Sequence, residues 1–412
     1  MPEICQKRSP SSLPSGSRGR SPGTPEISAE HSMRSRFLPV AAATAAAALA
    51  AGTAPAQATA RTGGPPAGSP AVAAFLPSTS SPLDPMAFAV VRPSAHPVEL
   101  RSAPRSLSVT YTFQGRKYTL DDYLARSKAN GFVVLDGQKV VYERYRAAGP
   151  DTRFQSWSMA KSFTSAAVGI ALHEGRIHSV DDPVTRYLPE LRASGYDGVS
   201  IRNLLRMSSG IDWNERADVP KTQLAAHRGF PVKRLAQRQV RGWEPGSGFE
   251  YTSMNTFVLA RLVSEVTGMP YHRYVEEKVW KPAGMASTAR IGGDSHDDLG
   301  YCCYYATDRD FARFGLLYLD KGRAGGRQVV PRAWVEESTR PSASFNPDYG
   351  LHWWLGGGGQ DDFMAAGFGG QYIYVSPEHR VVIVKSAVSA SQDQGEALSA
   401  FRAVAAEVAR TR

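Results

Sequence analysis

The sequence predicts an α+β fold: an antiparallel sheet built from both chain ends, flanked by helices, with an inserted mostly helical domain. Three observations predict it. One hairpin pattern stands early in the globular part, a second stands near the C-terminus, and helical patterns fill the span between. Strands do not alternate with helices, so a doubly wound parallel sheet is not expected.

The early hairpin reads Phe132–Leu135, then Asp136-Gly137, then Gln138–Tyr142. Asp-Gly tolerates the positive φ angles of a tight type I′ turn. The late hairpin reads Gln371–Val375, a turn at Ser376-Pro377-Glu378, then Val381–Lys385. Helical patterns cover Ser158–Glu174, Ile201–Met207, Thr256–Thr267 and Asp308–Leu319, and an Ala-rich closing helix covers Gln394–Arg410. On the first of these, Met159, Phe163, Ala166, Ala167 and Ile170 mark the face expected to be buried. Gly356–Gly359 lacks the Lys-Ser/Thr and the helix of a phosphate loop, and reads as a hairpin loop.

The 412 residues carry 42% hydrophobic and 21% charged side chains, which excludes a mostly disordered chain. Before the body lies one extended apolar run. Met33-Arg34-Ser35-Arg36 supplies a positive start, Phe37–Gly52 an Ala-rich stretch of 16 residues, and Ala56-Gln57-Ala58 a small-x-small cleavage pattern. The run is short for a membrane span, so residues 33–58 read as a signal peptide cut after Ala58, with an uncleaved anchor as the other reading. Residues 1–32 read as an extension ahead of the true start. Residues 59–105, with nine prolines, read as a linker or surface arm, and the globular body as 106–412.

The net charge is +10, and loss of residues 1–58 leaves 42 basic and 35 acidic side chains, or +7. The basic residues are scattered, which fits contact with an anionic cell envelope and excludes a nucleic-acid-binding face. Cys302 and Cys303 are adjacent, a strained spacing for a bridge, and are expected as reduced thiols. His173-Glu174…His178 is one residue too wide for a zinc helix, and no metal is expected.

Three segments carry chemistry. Ser158-Met159-Ala160-Lys161 is the only S-x-x-K in the chain. On a helix, positions i and i+3 share a face, so the hydroxyl of Ser158 meets the ammonium of Lys161. A serine is a poor nucleophile until a neighbour takes its proton, and a desolvated lysine is suited to do so. Glu244–Asn255 brings a Pro-Gly turn and then Tyr251 just ahead of an apolar helix, from which a phenol can relay protons. Ala366-Gly367-Phe368-Gly369-Gly370-Gln371 leads into a strand, and its glycines allow backbone N–H groups to approach an oxyanion.

These three segments, in this order, resemble the serine β-lactamase and penicillin-binding superfamily. The resemblance is strongest to its class C-like serine hydrolases, which include D-alanyl-D-alanine carboxypeptidases, esterases and 6-aminohexanoate-dimer hydrolases. Further matching stretches are Gly175-Arg176-Ile177 with Asp181-Asp182-Pro183-Val184, Ile201–Gly210, Pro245-Gly246 and Ala306–Gly315. The resemblance spans roughly residues 107–410 and implies a β-lactamase/transpeptidase-like fold. It implies Ser158 as acylated nucleophile, Lys161 as its partner and Tyr251 as general base and acid. It implies an oxyanion hole from the N–H groups of Ser158 and Gln371. Ser253, Asn255, Phe368, Gly369 and Gly370 then fall in the substrate cleft.

Two departures narrow the activity. The family's Y-x-N reads Tyr251-Thr252-Ser253, with Asn255 two residues later. Its K-T-G or H-x-G box reads Phe368-Gly369-Gly370, without the cation that faces a substrate carboxylate. The sequence therefore favours a secreted serine hydrolase of small carboxamides or esters that needs no cofactor. Its loops Ile211–Gly229 and Tyr301–Tyr305 are expected to set substrate choice, with Trp213, Tyr304 and Tyr305 as cleft walls. A D-alanyl-D-alanine carboxypeptidase or weak β-lactamase, and a non-catalytic binding protein on the same fold, are the alternatives.

Overall fold

The computed structural model describes residues 87–388 and 393–412. The proposed extension, the signal peptide and residues 59–86 of the arm lie outside the described residues. In chain order the strands that position the site are β1 (Ala87–Val91), β2 (Arg101–Ser102), β3 (Ala129–Asp136), β4 (Lys139–Tyr145), β5 (Arg153–Gln155) and β6 (Ala289–Gly293). They continue with β7 (Tyr304–Thr307), β8 (Trp354–Leu355), β9 (Phe363–Gly367), β10 (Gln371–Ser376) and β11 (Val381–Ala387). The helices used below are α1 (Ala160–His173), α2 (Glu215–His227), α3 (Ser253–Thr267), α4 (Asp308–Leu319) and α5 (Gln394–Arg410).

Seven strands form the main sheet in the order β8-β9-β10-β11-β3-β4-β2. Every pairing is antiparallel except β2 with β4. Both expected hairpins are present, but the first turns on Gly137-Gln138, with Asp136 paired to Lys139 and positive φ at Gly137 alone (54°), so it is not the type I′ turn expected on Asp136-Gly137. β11 from the C-terminal hairpin lies directly beside β3 from the early one, with Val382 opposite Leu135. Two chain ends thus close one sheet.

Both faces of that sheet are covered, which explains why β11 is buried along its whole length. Side chains alternate across a strand. Val133, Leu135, Ile373, Val382 and Val384 join the core that contains Phe311 and Phe314 of α4. Phe132, Val134, Tyr372, Val381 and Ile383 join the core that contains Phe401 and Val404 of α5. Helix α5 begins where Asp393 accepts the N–H groups of Gly395 and Glu396, a side-chain cap that satisfies two otherwise unpaired donors.

A second sheet has the strand order β1-β6-β7-β5. It corrects one expectation. The described part of the Pro-rich segment is built into the body: Ala87–Val91 pairs with β6, Val91 is fully buried, and Arg101–Ser102 pairs with β4. The prolines Pro93, Pro97 and Pro104 fall between or after these strands, where no ladder N–H is lost.

Candidate active site

Ser158 stands on a tight turn between the two sheets. β5 pairs Gln155 with Tyr305, and the next residue is pinned twice: Ser156 N–H donates to the Tyr304 carbonyl (2.7 Å) and Tyr304 N–H donates to Ser156 Oγ (3.1 Å). Trp157 then takes φ 46°, which is a strained conformation for a bulky aromatic residue. Trp157–Met159 forms one 3-10 turn, and α1 follows without a break. Ser158 is therefore in a 3-10 turn ahead of the helix. Side chains at i and i+3 eclipse in that geometry, which brings Lys161 over Ser158. Helix α1 is buried on all faces from Ala160 to Ala171, so the expected single apolar face is only part of its packing.

Lys161 is almost fully buried, and its Nζ donates to Ser158 Oγ (2.9 Å), Ser253 Oγ (2.9 Å) and the Tyr301 carbonyl (3.3 Å). Burial pulls its pKa down to about 8, against the opposing pull of the Glu215 carboxylate. His352, also buried nearby, is pulled to about 3 by burial and by Lys161, and so stays neutral. Its Nε2 lies 3.0 Å from Thr256 Oγ1.

Sequence reasoning missed Glu215. Its carboxylate accepts from Ser253 Oγ and from Ser253 N–H (2.8 Å), and also from Trp213 Nε1 (2.7 Å). The result is a continuous polar chain, Ser158–Lys161–Ser253–Glu215. The Ser253 that replaces the family's Asn is thus a link between the lysine and a carboxylate. Glu215 was hidden because its segment reads as a loop. In fact Asn214 caps a helix there by accepting the Ala217 N–H (3.0 Å), and Glu215 is that helix's first residue. Trp213 is buried and orients Glu215, so it is not a wall of the cleft.

Tyr251 directly precedes α3, as expected. Its ring stacks on Trp354 (centroids 5.6 Å, 22°), and Lys161 Nζ sits 4.8 Å from the ring centre. Burial and the Glu215 charge push its phenol well up, and a hydrogen bond with Ser158 draws it partly back. The phenol is therefore protonated at rest. Lys161, poised near neutrality, is the group able to take a proton first.

The glycine turn closes over this centre from the main sheet. A Cβ on Gly367 would lie 2.4 Å from the Ser156 carbonyl oxygen, so only glycine fits there. Phe368 is half-exposed and meets Trp157 edge-on at 5.4 Å. Gly369 and Gly370 have φ of 76° and 84° and reverse the chain into β10. Gln371 pairs with Gly367, and its side chain is fixed to β11 through the carbonyl (2.7 Å) and N–H (3.1 Å) of Ala387. Ser158, Lys161, Tyr251, Ser253 and this turn come together.

Three expectations are corrected. Asn255 is fully buried and accepts from the Tyr196 hydroxyl (3.2 Å), so it belongs to the core and not to the cleft. Tyr304 is also fully buried, with its hydroxyl 2.8 Å from that of Tyr271 and its ring on Phe163. Both errors share one cause: residues near a motif in sequence were assumed to share its exposure. Cys302 and Cys303 are joined as a disulfide, not reduced. The left-handed φ of Cys303 (71°) accommodates the link, and Gln223 of α2 donates to Cys302 Sγ at 3.7 Å. Among the described residues, no three His, Cys, Asp or Glu side chains converge as metal ligands.

A serine hydrogen-bonded to a buried lysine, beside a tyrosine and next to a glycine turn on an α+β scaffold, is an arrangement suited to a serine hydrolase. The chain belongs to the beta-lactamase family, whose profile matches residues 119–407. It is 33% identical over 295 residues to the 6-aminohexanoate-dimer hydrolase of Paenarthrobacter ureafaciens, covering 65% of this chain and 74% of that one. Among solved structures it is similar to a Bacillus anthracis protein assigned by name to the 6-aminohexanoate-dimer hydrolases. That match has TM-score 0.70 at 23% identity and covers 79% of this chain and 91% of that one. It also shares the fold of EstCE1, a hydrolase with promiscuous acyltransferase activity (TM-score 0.54, 16% identity, covering 70% and 96%).

Proposed function

We propose that this protein cleaves carboxamide or ester bonds of small linear substrates through an acyl-enzyme on Ser158. The observation that carries the reading is Lys161 Nζ within 2.9 Å of both Ser158 Oγ and Ser253 Oγ. In its neutral form Lys161 accepts the Ser158 proton as Oγ bonds to the carbonyl carbon. The oxyanion is met by backbone N–H groups, one from Ser158 and one from the turn. Gln371 at the exit of the turn is our assignment for the second donor, and Phe368 at its entry is the other N–H on offer. Tyr251 hands its phenolic proton to the departing amine or alkoxide and is refilled from Lys161. A water molecule then attacks the ester, gives its proton to the same pair, and the proton returns to Ser158 as the acid leaves.

The polar chain to Glu215 supports this order, because it holds Lys161 in place while burial keeps its pKa low. The half-exposed Phe368, standing where a cation faces the carboxylate of β-lactam substrates, supports an acyl group that carries no carboxylate and is aliphatic or aromatic next to the carbonyl. The name of the Paenarthrobacter relative supports short ω-amino acid amides as the first substrates to try. Hydrolysis of the linear 6-aminohexanoate dimer and of short-chain p-nitrophenyl esters, compared between wild type and S158A, tests the proposal. Turnover by wild type alone is expected; equal turnover by S158A refutes it. A penicillin that labels Ser158 and leaves slowly, with no amide or ester turned over, points to the carboxypeptidase reading.

We also propose that the chain is exported, with residues 33–58 removed after Ala58 and the +7 body lying against an anionic envelope. N-terminal sequencing of protein from the culture medium is expected to start at Thr59; retention in the cell with residue 33 intact refutes it.

A further inference from the structure

Lys385 is a fully buried lysine in the middle strand of the main sheet. It lies on β11, on the face that packs against α5, where Val381 and Ile383 are its neighbours. Nothing in sheet formation calls for an ammonium there, and burying one is costly unless it is put to use. The rings of Tyr123 and Tyr372 each lie 5.6 Å from its Nζ, so an apolar side chain of similar length would pack well.

Its Nζ donates to the Gly370 carbonyl at 3.0 Å. That carbonyl belongs to the same planar peptide unit as the Gln371 N–H. Two residues further along β11, Ala387 holds the Gln371 side chain through both its backbone groups. The end of the glycine turn is thus clamped twice from one strand. The start of the turn bears on Ser156 at Gly367 and on Trp157 at Phe368. On the opposite face, Ser386 donates to Asp308 Oδ1 (2.5 Å). Burial drives the Lys385 ammonium down and the Asp308 carboxyl up, and each draws the other back towards its charged form.

We infer that Lys385 is a positioning residue for acylation: it fixes the Gly370–Gln371 peptide, and with it the turn that covers the Ser158 oxyanion. An N–H donor on the carbonyl also draws charge from the peptide unit and makes the Gln371 N–H a stronger donor, whether the lysine is charged or neutral. The inference rests on the hydrolase reading above, and it concerns the transition state, not substrate binding.

K385M and K385Q are compared with wild type by thermal midpoint, by kcat and KM on a p-nitrophenyl ester, and by the rate of labelling with a fluorophosphonate. K385M is expected to fold, to keep KM within about twofold, and to lose about tenfold or more in both kcat and labelling rate. K385Q, which keeps an N–H donor without the charge, is expected to fall between K385M and wild type. Wild-type kcat in K385M overturns the inference, and so does a loss that appears equally in KM and thermal midpoint. Failure of both variants to fold while S158A folds also overturns it, because the lysine then serves the sheet alone. Wild-type labelling at Ser158 tests the parent reading separately; the ratio of variant to wild type tests this one.

Discussion

Lys161 Nζ and Ser253 Oγ lie 2.9 Å apart, and that contact joins the lysine beside Ser158 to the Glu215 carboxylate. Here a hydroxyl stands between them, so the charge steadies Lys161 without forming an ion pair that would lock the proton in place.

Removing that charge has a direction that can be checked. Glu215 raises the Lys161 pKa, so E215Q is expected to lower it. The acid limb of kcat/KM then moves to lower pH, while the plateau falls because Ser253 is held less firmly, by about tenfold. An unmoved acid limb in E215Q shows that the carboxylate does not act on Lys161.

The wild-type pH profile follows from the same group. Lys161 accepts a proton only when neutral, and its pKa is about 8. The acylation rate is therefore expected to rise with pH through about 8 and then level off, with His352 silent because it is already neutral. Tyr251 stays protonated across this range and adds no second rise near neutrality. Stopped-flow acylation by an activated ester from pH 6 to about 10 measures this. A rate that falls as pH rises through 8 contradicts it.

The adjacent cysteines give a test of mass. The disulfide predicts a chain about 2 Da lighter than the reduced form. It also predicts no alkylation of Cys302 or Cys303 until the protein is unfolded and reduced, since both are buried. Alkylation of both thiols in the unfolded, unreduced protein disproves the link.

Phe368 is half-exposed, with its ring edge-on to Trp157. F368A is expected to raise KM for hydrophobic acyl groups several-fold, with little change in thermal midpoint because the ring is half-exposed. Steady-state kinetics with acetyl and hexanoyl esters check this; an equal change in KM for both chain lengths argues against an acyl-wall role.

Much of this architecture can be read in the sequence because it is local. Asp136-Gly137 between two apolar runs specifies its hairpin, and Ser158 and Lys161 are three positions apart on one turn. What the sequence conceals depends on tertiary burial. Glu215 and Ser253 are 38 residues apart, and nothing in either segment announces their contact. Tyr304 and Asn255 stand beside motifs but turn inward. Lys385 ends an apolar strand run, where a lysine normally signals an exposed strand end. The β1 strand was masked by the prolines that flank it.

Peptide mapping after fluorophosphonate labelling tests the central claim most directly. The wild type is expected to carry one adduct, on Ser158, forming faster as pH rises through about 8, and S158A none. An adduct on any other residue, or labelling that survives in S158A, contradicts the account.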